Sequence, residues 1–171
     1  MTELTDFRAA KDTFFRSHAE SPLTPEQRRE FQGLNYFPEN PSFVFALEPE
    51  PFEEPELVEL QTSTGDSARY LRWARVSFAV DGSQQALTLY RNDYAGEIFL
   101  PFTDAGRGVE TYGAGRYLDV EETEDGRVLL DFNYAYNPYC AYNDSWSCPL
   151  PPSENRLTAH IRAGEKLFHE E

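Results

Sequence analysis

Lysine is almost missing from this 171-residue chain: Lys11 and Lys166 stand beside thirteen arginines. Thirty acids against fifteen bases leave a formal charge of -15. A surface of that sign repels phosphate backbones and anionic membranes at long range, so nucleic acid and lipid headgroups are excluded as partners. An acidic, lysine-poor surface also stays hydrated in concentrated salt, where self-repulsion is screened within a few ångström. A salt-rich cytoplasm and an arginine-preferring genome both account for it.

Long apolar runs are missing too. The longest, such as residues 43–47, fall far below the ~18 needed to cross a bilayer. The N-terminus carries Glu3 and Asp6 where a secretory signal needs positive charge. A cytoplasmic protein is expected. Two cysteines are too few for a disulfide framework. The three histidines, His18, His160 and His169, form neither an H-x-H nor an H-E-x-x-H pair. No metal site is expected, and no cofactor is identified. The glycine-rich connection at residues 103–116 lacks the strand-to-helix transition and the lysine of a phosphate-cradling loop.

What is present is aromatic: 15% of the residues, within an apolar fraction of 40%. That suffices for one domain over residues 1–171 with a sizeable core. The spacing of Leu4, Phe7, Ala10, Phe14 and Phe15 predicts a helix over 3–16. Thr24-Pro25-Glu26-Gln27 reads as a capping box opening a second helix that Gly33 ends. Residues 1–34 thus form a helical cover. From Pro41 the apolar period becomes two, with strands expected at 42–47, 57–62, 70–80, 85–91, 97–102, 115–120 and 127–133. Asp81-Gly82 and Asp125-Gly126 suit hairpin turns. The proline-rich acidic stretch 48–56 reads as a surface loop, and 153–163 as a last extended strand. The fold class is α+β, predominantly β: an antiparallel curved sheet or barrel-like meander of about seven strands with two N-terminal helices.

Residues 133–155 form an irregular crossing of the β-rich core at 41–171. Five tyrosine and tryptophan rings are interleaved there with the amides of Asn133, Asn137 and Asn143. Flat apolar faces with polar tips beside short amides are what a pocket needs to stack and orient a planar or sugar-like ligand. A small-molecule site follows in which Arg116 and Glu154 supply charge, Asn133 and Asn137 orient, and Tyr136, Tyr142 and Trp146 stack. An enzyme is the alternative. Its nucleophile would be Cys140 with His160 as base and Asp131 or Asp119 as orienter, or an acid-base pair would come from Asp104, Asp119, Asp131 and Glu154. A third reading makes the crossing a proline-asparagine plug that closes the core, with function lying in a protein partner.

Cys140 and Cys148 lie eight apart, which is not a zinc-knuckle spacing. A disulfide between them would remove about 2.5 kcal/mol of entropy from the unfolded chain. A reducing compartment makes that clamp conditional and favours buried thiols.

Three runs in this half of the chain carry a resemblance. They are F-x-P-F-x-D-x-x-x-G-x-E-T-Y-G-x-G-R-Y-L at 99–118, D-F-N-x-A-Y-N-P-Y-C-A-Y-N at 131–143 and C-P-x-P-P-x-E-N at 148–155. With F-x-G-L-N-Y-F-P at 31–38, the chain resembles a bacterial and archaeal family of unknown function. The resemblance implies that residues 113–155 act as one unit and brings no activity, ligand or cofactor with it.

Overall fold

The computed structural model describes residues 2–92 and 96–169. Helix α1 (Glu3–Ser17) starts where the Thr2 side chain accepts from Thr5 N, with Glu3 and Asp6 complementing the dipole of the first turn. Helix α2 (Pro25–Glu30) opens on the reciprocal Thr24 and Gln27 capping box and ends at Phe31, before Gly33. Seven strands follow: β1 (Val44–Leu47), β2 (Glu50–Gln61), β3 (Ser67–Val80), β4 (Ser83–Asn92), β5 (Ile98–Phe102), β6 (Arg116–Glu122) and β7 (Val128–Asp131). They form one antiparallel sheet in the order β1, β7, β6, β5, β4, β3, β2.

That order dictates the shape. Strands β1 and β2 occupy opposite edges, yet only Glu48 and Pro49 separate them. Such a link reaches roughly 10 Å at most, so the sheet curls into a half-barrel until its edges face one another. Phe45 of β1 meets Phe78 of β3 across the gap at 4.9 Å. The concave face holds the core: Val76, Phe78 and Val80, Leu87 and Leu89, Ile98, Leu100 and Phe102, Leu118 and Val120, Val128 and Leu130.

Two expectations are corrected. The stretch 48–56 is not a loop, because most of it belongs to β2. Its prolines are tolerated because β2 is an edge strand, and the register shifts between Pro51 and Glu56 absorb the missing donors. Nor is 153–163 a strand. Ser153–Asn155 is a 3-10 turn, and the chain then runs through the hollow of the sheet without a ladder. The alternation itself is real: Leu157 and Ile161 are buried and Ala159 half-buried, while Thr158, His160 and Arg162 are exposed.

Unladdered backbone inside a core must find other partners. Asn155, 0% exposed, supplies them where β4 and β5 diverge: Oδ1 accepts from Thr88 N, and Nδ2 donates to Thr88 O and Pro101 O. Arg116, 1% exposed, donates through Nη1 to the carbonyls of Ala163 and Glu165 and through Nη2 to that of Ile161. Asp104 lies 3.8 Å from this guanidinium and accepts from Ile161 N and the Thr111 hydroxyl. Gly164, at φ +80°, brings the segment so close that a Cβ would sit 2.6 Å from Ala135 O.

Helix α1 is tied to the same segment. Phe15 packs edge-on against Tyr142 at 4.9 Å. The Lys11 Nζ lies 2.7 Å from Glu165 Oε2, which also accepts from Asn137 N, while Oε1 accepts from the Tyr142 hydroxyl.

Asn155→Ala is expected to destabilise the fold by about 3 kcal/mol, since three buried backbone groups lose their partner; urea denaturation reads this directly. Lys11→Met strands the Glu165 carboxylate, itself 1% exposed, at a similar cost of about 3 kcal/mol. Adding Glu165→Gln to Lys11→Met should restore most of that loss.

Candidate functional site

Strand β5 is apolar on both faces, and β6 adds a ring to the outer one. Ile98, Leu100, Leu118 and Val120 point into the core, whereas Phe99, Tyr117 and Asp119 occupy the alternate, outward positions. An outward aromatic surface needs cover, and the crossing supplies it. Where β7 stops at Asp131, Tyr136 takes its place beside β6, exchanging backbone hydrogen bonds of 2.8 and 2.9 Å with Tyr117. Further on, Leu150 N donates to Gln61 O and Ser63 N to Cys148 O, which anchors the end of the crossing on the β2–β3 turn.

Between these anchors the crossing stands off the sheet and leaves an open cleft of about 450 Å³. Its sheet wall is a belt of rings. Tyr70 stacks on Phe99 at 5.1 Å, Phe99 meets Tyr117 edge-on at 4.7 Å, and Tyr117 meets Tyr136 at 5.8 Å. The opposite wall carries Tyr139 and Trp146, edge-to-face at 5.2 Å. These two rings are 37% and 39% exposed, and Trp146 is oriented by its indole N–H on Pro22 O at 3.2 Å. Besides the phenols, the polar side chains are Asn92, Glu97, Asp119, Asn137 and Ser147, and among the described residues no lysine, arginine or histidine lines the cleft.

Electrostatics keep the phenols protonated. Burial pushes both Tyr117 and Tyr136 up, and the Asp119 carboxylate raises Tyr136 further. Each then acts as a donor, Tyr136 to Asp119 Oδ1 at 3.0 Å and Tyr117 to Pro149 O. Asn137 is buried on the cleft lining, and its Oδ1 has no hydrogen-bond partner among the described residues.

The group expected from the sequence divides. Tyr136, Asn137 and Trp146 line the cleft together. Arg116 does not: it points to the concave face, where burial lowers its pKa and Asp104 and Glu165 oppose that fall, and its donors go to backbone. Asn133 lies under the N-terminal segment, exchanging hydrogen bonds with both backbone groups of Asn40 at 2.8 and 3.0 Å. Tyr142 is sealed between Phe15 and Phe168 with its hydroxyl on Glu165. Glu154 pairs with Arg72 at 2.9 Å and accepts from the Tyr90 hydroxyl on the outer face of β4. The belt residues Tyr70, Phe99 and Tyr117 escaped the sequence reading; the signal was their apolar character on the face opposite a complete core.

The catalytic candidates do not assemble either. His160 is exposed near Glu110, 3.7 Å away, and Asp131 caps Asn133. Cys140 meets Cys148 and Tyr112 instead. Asp104 is spent on Thr111, Ile161 and Arg116. Among the described residues no group of His, Cys, Asp and Glu could hold a metal ion, and no helix is long and apolar enough to cross a membrane.

Comparisons with known proteins agree with this architecture. The chain is 41% identical to an uncharacterised protein of the halophilic archaeon Haloarcula marismortui whose solution structure it matches with a TM-score of 0.74, over 98% of this chain and 95% of that one. No curated protein matches it. The family model described as "Protein of unknown function (DUF1684)" matches residues 29–166. The chain therefore belongs to the DUF1684 family of proteins of unknown function.

Proposed function

We propose that this protein binds a small ring-containing ligand in the cleft between the crossing and the outer face of β3–β6. The observation that carries the reading is the pair Tyr139 and Trp146, two large rings left exposed opposite a belt of four more aromatic rings. Stacking surfaces on both walls hold a flat or sugar-like ring, and a 450 Å³ hollow fits one such molecule. The charges choose its sign. With Glu97 and Asp119 present and no cationic side chain on the lining among the described residues, a neutral polyol or an amine is favoured over a phosphate or carboxylate.

The setting is read as a salt-rich cytoplasm. Supporting it are the charge of -15, the two lysines and the likeness to a protein from a halophilic archaeon.

A thermal-shift screen of sugars, nucleosides, amino acids and organic amines, in dilute and in multimolar KCl, tests the reading. Neutral or cationic ring compounds should raise the melting temperature and shift the fluorescence of Trp146, and Trp146→Ala should weaken their binding about tenfold or more, the scale expected for losing a stacking face. Stabilisers that bind Trp146→Ala and Asp119→Asn as well as they bind the unaltered protein would place the site elsewhere. A screen without any stabiliser would remove the reading.

A further inference from the structure

Behind the Trp146 wall of the cleft is a second open hollow of about 360 Å³, bordered by Thr24, Gln27, Cys140, Tyr142, Asn143 and His169. The partition between the two hollows contains both cysteines: Cys148 lines the cleft and Cys140 lines the second hollow. Both are free thiols, and both are buried, at 8% and 6% exposed. They face each other, with Cys140 N donating to Cys148 Sγ at 3.3 Å. The environments differ. The Tyr112 hydroxyl donates to Cys140 Sγ at 3.7 Å, while Cys148 sits on backbone fixed by Ser63, whose Oγ accepts from Cys148 N at 3.1 Å. The Cys148 thiol, the Tyr112 hydroxyl and the Ser63 hydroxyl hold the charged form of Cys140 and lower its pKa against the burial that raises it, whereas proximity to Cys140 and burial raise that of Cys148.

We propose that Cys140 and Cys148 form a redox-active dithiol, in which Cys140 takes up a small disulfide through the second hollow and Cys148 resolves it. The pair is asymmetric as such chemistry requires: one sulfur favoured as thiolate by the Tyr112 hydroxyl, on a residue that borders the second hollow, and the other adjacent to it. The Cys140 thiolate, its proton given to solvent, attacks one sulfur of the disulfide, forming a mixed disulfide and expelling a thiolate. Cys148 loses its proton to that thiolate and attacks Cys140 Sγ, expelling the second thiolate, which takes a proton from solvent. Two protein thiols are oxidised to one disulfide while the small disulfide is reduced to two thiols. The product closes a loop over residues 140–148, which carries Tyr142 and Trp146.

The experiment incubates the full-length reduced protein with oxidised glutathione near neutral pH and follows its mass. The unaltered protein should lose two hydrogens and retain no adduct. Cys148→Ser should trap one glutathione on Cys140, and Cys140→Ser should react at least tenfold more slowly than Cys148→Ser. Tyr112→Phe should slow capture several-fold while leaving the melting curve of the reduced form in place. Because the unaltered protein gives the first readout, a misfolded variant does not rescue the idea. Two separate glutathione adducts on the unaltered protein would overturn it. So would equal rates in the two serine variants, or thiols that stay reduced while the urea-unfolded chain is oxidised.

Discussion

The fold rests on how a stretch of backbone without a strand partner is satisfied inside a curled sheet. Residues 156–166 fill the hollow with Leu157, Ile161 and Ala163, and apolar filling alone would leave their peptide groups orphaned at a cost of about 1–3 kcal/mol each. Arg116 gathers three of the carbonyls, Asp104 takes an N–H, and Asn155 closes the split between β4 and β5. A guanidinium suits the task because its five donors are held in one rigid plane and remain charged in the interior. The charge is balanced by Asp104 at 3.8 Å, and Gly115 and Gly164, both at positive φ, let the chain approach closely beside Arg116 and Glu165.

That solution has a consequence for function. The polar residues of the C-terminal half fall into two sets by the face of the sheet they occupy. Those facing the hollow, Arg116 and Asp104, are consumed by backbone, and Asn155 is consumed where the ladder opens. Those facing outward, with the rings of Tyr70, Phe99, Tyr117 and Tyr136, are covered only partly, because the crossing pairs with β6 at Tyr136 and with the end of β2 near Leu150 and bows away between. The cleft is the space under that bow. Pro149 bridges to Thr62 through the peptide groups of its neighbours, whereas Pro138 has no N–H with which to extend the Tyr136 pairing along β6.

How much of this was legible in the chain follows from the range of the forces involved. Helix α1, the α2 capping box, the Asp81-Gly82 turn and the strands were readable because local periodicity and turn chemistry specify them. The 48–56 error arose because proline argues against a central strand but not against an edge, and edge position is a property of the whole sheet. The 153–163 error is of the same kind: alternation reports which side chains are inside, not whether a neighbouring strand exists. On the cleft lining, Tyr136, Asn137 and Trp146 are grouped by the sequence because they cluster within one segment, whereas Tyr70, Phe99 and Tyr117 come from three strands that only the sheet brings together. Arg116 and Tyr117 are adjacent in sequence and face opposite sides of the sheet, so a one-residue step separates a structural ion from a cleft wall.

The cysteines connect the two halves of the molecule. Cys148 is held through backbone to Ser63 on the β2–β3 turn, and Cys140 lies on the 3-10 turn Tyr139–Ala141, whose next residue reaches Glu165 and, through it, Lys11 of α1. The link between these two anchors is residues 141–147, and Trp146, the exposed ring of the cleft, lies within it. A covalent bond across the anchors would shorten the reach of that loop without touching the belt on the sheet, since Tyr70, Phe99 and Tyr117 belong to strands held by their own ladders. One wall of the cleft is therefore fixed by ladders, while Trp146 on the other is held at Pro22 O and by the Ser63 hydroxyl, so on the two proposals above oxidation would reach the ligand only as far as closing the 140–148 loop shifts that ring against these two contacts.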